Sequence, residues 1–114
     1  MAFSEFEKTG FARLFEQYAE RRIPPAARDK VRLEHQVRGD SVTLFEGRTP
    51  WRGTGDWSST PVLQFRRSET TGKWSLYWAD RNSRWNAYEG FHEASDLNEL
   101  LAEVDRDPTG VFWG

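Results

Sequence analysis

Between residues 31 and 44, apolar and polar side chains alternate on both sides of a Gly-Asp pair. Val31, Leu33, His35 and Val37 hold one parity, and Val42 and Leu44 resume it after Gly39-Asp40. A period of two means strands that each turn one face to a core. Gly then Asp between two such runs predicts a two-residue type II′ hairpin turn. Register follows from that turn: Val37 pairs with Val42, His35 with Leu44, Leu33 with Glu46 and Val31 with Arg48. The same residues spell Arg38-Gly39-Asp40-Ser41, an adhesion motif in extracellular proteins. Nothing else in the chain suggests that setting, and the turn explains the pattern without it.

The segments flanking the strands have a different period. Phe11, Leu14, Phe15 and Tyr18 repeat at the spacing of one helical face. Ser4 is an N-cap candidate and Pro24-Pro25 a stop, which predicts a helix over residues 5–22. Leu97, Leu100, Leu101 and Val104 repeat the spacing near the other end, with Ser95 or Asp96 as the cap, Asp96 and Glu99 as an approximate capping box and Pro108 as the stop. The apolar ending "TGVFWG" is expected to dock on the domain.

Between these lie further strands. Residues 47–60, "GRTPWRGTGDWSST", read as the longest irregular segment, and its Gly53 and Gly55 lack the strand–Gly–helix context of a phosphate loop. Residues 62–67, 74–79 and 84–89 read as strands three to five, joined by turns at Thr71-Gly72 and Arg81-Asn82. Those turns set Trp78 opposite Phe65 and Trp85, and Leu76 opposite Arg67 and Ala87. One face then carries Leu63, Phe65, Trp74, Leu76, Trp78, Trp85 and Ala87, and the other Gln64, Arg66, Ser75, Tyr77, Asn86 and Tyr88. A one-residue slip would exchange the faces.

The chain of 114 residues suits one domain over 1–114, long enough to bury roughly two-thirds of its unfolded surface. It has no cysteine, and therefore no disulfide framework, thiolate metal site or cysteine nucleophile. The N-terminus carries acids where a signal peptide carries bases, and no apolar run approaches the ~20 residues of a membrane span. The expectation is a soluble, cytoplasmic protein. Thirteen of the sixteen basic residues are Arg, as in proteins from GC-rich bacterial genomes. Net charge is −2, yet residues 21–84 carry +6 and residues 85–114 carry −6. A basic middle can meet an anionic partner, or the two regions can face each other in the fold.

Motifs for chemistry are sparse. Asp105, Asp107 and Thr109 fit the DxDxT nucleophile pattern of haloacid-dehalogenase phosphatases, but the residues before Asp105 are helical where that chemistry needs a central strand. His35 and His92 are the only histidines and lack ligand spacing, so neither a metal nor a cofactor is expected. Two polar groupings remain as candidate binding sites. Tyr77 and Tyr88 share a face with Arg66, Gln64 and Asn86, a combination suited to stacking on planar ligands, or to a dimer interface. Glu46 and Arg48 extend the inward row of strand two to the mouth of the long loop, near Trp51. There they form either a buried structural clamp or the rim of a pocket.

"ERRIPPAARDKVRL", "SVTLFEGRTPW", "PVLQFRR", "KWSLYWADRNSRWNAY" and "LLAEVDRDPTGVFWG" together resemble a small bacterial family, domain-of-unknown-function family 3024, along nearly the whole chain. The family has no assigned activity. Its pattern carries Lys where Gln64 stands, His where Asn86 stands, and no residue equivalent to Thr49. The resemblance thus implies that any acid–base pair on the Tyr77/Tyr88 face is lost here, which favours binding over catalysis.

The expected architecture is α+β: a five-stranded, mostly antiparallel sheet with an N-terminal and a C-terminal helix on one face. The expected function is a non-enzymatic module binding a small molecule or a protein. A nucleic-acid-binding protein using the basic middle is the alternative, and an enzyme the third reading.

Overall fold

Ser4 opens the first helix as the sequence predicts. In the computed structural model, which describes residues 3–50, 55–89 and 93–113, α1 spans Glu5–Arg22. The Ser4 hydroxyl accepts from Glu7 N, and the Glu7 carboxylate accepts from Ser4 N, closing a capping box. Pro24 and a short 3-10 turn, Pro25–Ala27, end the helix and lead into the sheet.

The five strands are β1 (Val31–Arg38), β2 (Ser41–Arg48), β3 (Ser58–Arg67), β4 (Trp74–Ala79) and β5 (Trp85–Ala87). They pair antiparallel in chain order. The β1–β2 register has all four expected pairs, and Gly39 takes the positive φ of 57° that a II′ turn demands while Asp40 does not. β3 begins four residues before the expected strand. Pro61, which has no N–H to donate, sits where the β2–β3 register shifts and Val62 bulges out.

Two turns are longer than expected, with different consequences. The β3–β4 loop spans residues 69–72, tied by Ser68 N donating to Lys73 O and by the Ser68 hydroxyl accepting from Thr70 N and Thr71 N. It moves the pairing by two residues, so Phe65 meets Leu76 and Leu63 meets Trp78. A two-residue shift leaves the faces unchanged.

The β4–β5 turn gains a single residue, and that reverses β5. Asp80 accepts from Asn82 N and Arg84 N, and Ser83 adopts φ 59° in a three-residue loop. Trp78 therefore faces Asn86, Tyr77 faces Ala87 and Ala79 faces Trp85. Asn86 and Tyr88 turn to the helix side, while Trp85 and Ala87 turn away. The expected Trp78–Trp85 pair does not form. Trp74 is buried in the core, Trp78 packs half-buried at its edge, and Trp85 lies on the opposite face.

α2 (Leu97–Arg106) starts at Asp96, whose carboxylate accepts from Asn98 N. Both helices cover the Val42/Leu44/Leu63/Phe65/Leu76 face. Phe15 of α1 lies 5.9 Å from Phe65 and Phe11 lies 5.7 Å from Trp74, while Leu100 and Val104 of α2 join the same core. Among the described residues, no helix is long and apolar enough to cross a membrane.

The tail docks through a residue set apart in sequence. Asp107 takes the left-handed conformation (φ 45°) at the end of α2, and its two carboxylate oxygens accept from Phe112 N (3.2 Å) and Trp113 N (2.8 Å). Phe112 is thereby buried against Tyr88, and Trp113 is held beneath the guanidinium of Arg22 at 4.6 Å. Asp107 is thus a clamp for the tail, not half of a phosphatase motif.

Candidate contact surfaces on the two sheet faces

With both helices on one side, the other side of the sheet carries no helix among the described residues. Strand alternation arranges its side chains in rows. Arg38, Ser41, Arg66 and Ser75 are successive partners from β1 to β4, and Gln36, Thr43, Gln64, Tyr77 and Ala87 form the next row. Gln64 and Arg66 are two apart on β3 and so share this face. Gln64 Nε2 donates to Thr43 Oγ1 at 2.9 Å, and Arg66 Nε donates to Gln64 Oε1 at 2.6 Å. The Arg66 guanidinium then lies 3.8 Å from the centroid of the Tyr77 ring. Among the described residues its two terminal nitrogens carry no hydrogen bond.

Farther along the same face, Arg32 crosses Gly47, where a Cβ would meet its Cγ at 3.0 Å. Glycine at 47 is what lets Arg32 reach the ring of Trp57, 4.2 Å away, and it also pairs with Glu34. The face therefore carries two arginines already stacked on aromatic rings. Each such contact at an exposed site contributes about 0.5–1 kcal/mol.

The residues expected to meet around Tyr77 and Tyr88 are divided by the reversal of β5. Tyr77, Arg66 and Gln64 lie together on the uncovered face. Tyr88 is 5% exposed beneath α2, and its hydroxyl donates to Glu103 Oε2 at 2.7 Å. Burial first, then the Glu103 carboxylate, pushes the Tyr88 phenol above its ordinary pKa. Asn86 also faces the helix side and donates to Asp80 Oδ2 and to the carbonyl of Arg84. Gln64 and Asn86 thus lie on opposite faces, so the two family positions do not form one acid–base pair here.

Glu46 and Arg48 do meet: Arg48 Nε donates to Glu46 Oε1 at 2.7 Å. The pair is not a buried clamp, because the Arg48 side chain is 61% exposed. Both residues line a groove that the C-terminal tail completes with Trp113. Trp51 and His92 lie outside the described residues. His35 is half-buried against Phe15, 5.3 Å ring to ring, and burial lowers its pKa. Among the described residues no cluster of three or more metal-ligating side chains occurs.

Sequence reasoning missed Trp113, Arg81 and Asp107 as builders of the groove. An acidic residue just before Pro-Thr-Gly and an aromatic pair was the available signal for Asp107. No solved structure and no curated protein matches the chain. A family model, described as a domain of unknown function, matches residues 3–114. Matched along nearly its whole length, the chain belongs to the DUF3024 family.

Proposed function

We propose that the protein is a non-enzymatic binding module whose uncovered sheet face grips an acidic protein partner through Arg66. The observation that carries this reading is the state of that arginine. Its Nε is engaged by Gln64, its plane rests on Tyr77, and its outer nitrogens carry no hydrogen bond among the described residues. A guanidinium ordered in advance loses less entropy on binding, and its planar fork matches a carboxylate. The cross-strand partners of Arg66 and Gln64 on this face are Ser41, Ser75, Thr43 and Tyr77, none of them a carboxylic acid or an imidazole. They suit recognition better than proton transfer.

Nucleic acid is the weaker alternative, because the basic side chains do not gather on one face. Arg32, Arg38 and Arg66 lie on the uncovered face, whereas Arg48 and Arg67 lie on the helix side, where Arg67 pairs with Glu7. Cysteine-free and rich in arginine, the module suits a bacterial cytoplasm.

Titrating the labelled protein with a short glutamate-rich peptide tests the reading. Amide shifts should concentrate at residues 36–43, 64–66 and 75–77, shrink as salt rises, and vanish in Arg66→Gln. Shifts elsewhere, or shifts unchanged in Arg66→Gln, contradict it. Tighter binding of oligothymidylate than of the peptide would favour the nucleic-acid alternative.

A further inference from the structure

The groove where the C-terminal tail meets the end of the sheet is a second surface, independent of Arg66. Glu46, Arg48 and Trp113 are shared by two adjoining hollows. One, of about 330 Å³, adds Val62, Ala79 and Arg81; the other, of about 220 Å³, adds Arg22 and Leu33. These volumes lie at or below the low end of the roughly 300–1,000 Å³ seen for ligand pockets, so a small ligand fits.

Each wall is fixed by bonds already described. Asp107 holds the backbone of Trp113, and Arg22 lies on its ring. Glu46 fixes Arg48 Nε and leaves its terminal nitrogens without a hydrogen bond among the described residues. Asp80, next to Arg81, gives its carboxylate oxygens to other donors. Its carboxylate is held ionised, below its ordinary pKa, first by the Arg84 N–H and also by the Asn86 amide and the Asn82 N–H. Among the described residues the Arg81 side chain carries no ion pair.

We propose that this groove binds a small monocarboxylate with a planar, apolar body, its carboxylate between Arg48 and Arg81 and its body against Trp113, Val62 and Ala79. The guanidinium nitrogens left without a partner select the anion. Arg22 is paired with Asp105 and Arg48 Nε with Glu46, so the donors left to an anion are the terminal nitrogens of Arg48 and the Arg81 side chain, while Glu46 and Asp80 beside them repel a phosphate dianion more than a monoanion. The guanidinium planes suit a carboxylate, and the indole suits a flat body.

Benzoate and inorganic phosphate are the probes, each titrated into the full chain while the Trp113 indole and Arg48 Nε–H signals are followed by NMR. Benzoate should move both signals and saturate. Phosphate should not, until Glu46→Gln removes the repelling carboxylate. Arg48→Gln and Arg81→Gln should each weaken benzoate at least about tenfold, as loss of a charge-assisted bond does. Both side chains are exposed, and an unchanged melting temperature would confirm that each variant folds. Absence of a saturable benzoate shift overturns the proposal. So does phosphate binding as well as benzoate in the parent protein, or benzoate affinity that survives both arginine substitutions.

Discussion

Replacing Tyr88 distinguishes the observed arrangement of β5 from the one its sequence first suggests. With Tyr88 on the open face, Tyr88→Ala would leave stability nearly unchanged. In the structure the ring is buried, 5.2 Å from Phe112, and its hydroxyl supplies Glu103 with a donor at 2.7 Å. Truncating a buried aromatic costs about 3–5 kcal/mol. Leaving a buried carboxylate short of a donor adds about 1–3 kcal/mol. Tyr88→Phe isolates the second effect and should cost about 1–3 kcal/mol, while Tyr88→Ala combines both and should cost about 4–8 kcal/mol. Tyr77→Ala, on the half-exposed ring beneath Arg66, should cost about 1 kcal/mol. Urea unfolding followed by circular dichroism gives all three values, provided the slope stays constant. Because the fold raises the Tyr88 pKa, the native state keeps its phenolic proton longer than the unfolded chain. The contribution is therefore complete below the ordinary value of 10.0 and is lost as pH rises through the higher folded value. If Tyr88→Ala proves no worse than Tyr77→Ala, the β5 register is wrong.

Other substitutions probe the remaining parts. Asp107→Ala should lose about 1–3 kcal/mol and expose Trp113 to quenchers, with Asp107→Asn less severe because one acceptor survives; an unchanged quenching profile would mean that the tail is held by other contacts. Burial disfavours the charged imidazole of His35, so its folded pKa lies below the ordinary 6.5. Stability should be full above that pH and decline as pH falls through the folded value, and His35→Gln should flatten that part of the stability–pH profile. Glu46→Gln should change stability by less than about 1 kcal/mol, the value of an exposed ion pair. A loss of several kcal/mol would restore the buried clamp.

Much of this fold can be read from local chemistry, and the misreadings have a common origin. Ser4, Pro24, Gly39-Asp40 and Asp96 act on residues next to them, so the helix ends and the first hairpin follow directly from the chain. The β5 face depends on whether the turn after Ala79 holds two residues or three. The string Asp80-Arg81-Asn82-Ser83-Arg84 permits both, and the preference comes from Asp80 accepting two backbone N–H groups at once. Periodicity does not register that preference, and it alone moves Tyr88 from a contact surface into the core. The groove was half legible for a similar reason. Glu46 and Arg48 lie on one strand two residues apart, but Trp113 and Arg81 reach them only through the tail clamp and the β4–β5 turn.

Among the described residues one sheet face carries no helix and presents Tyr77, Arg66 and Trp85, with Tyr88 on the buried side. Relaxation by a soluble gadolinium chelate measures this directly on the aromatic side-chain signals. Strong broadening of Tyr77 and Trp85 is expected, with Tyr88 and Trp74 protected. Equal broadening of the two tyrosines, or a protected Tyr77 beside a broadened Tyr88, would contradict it.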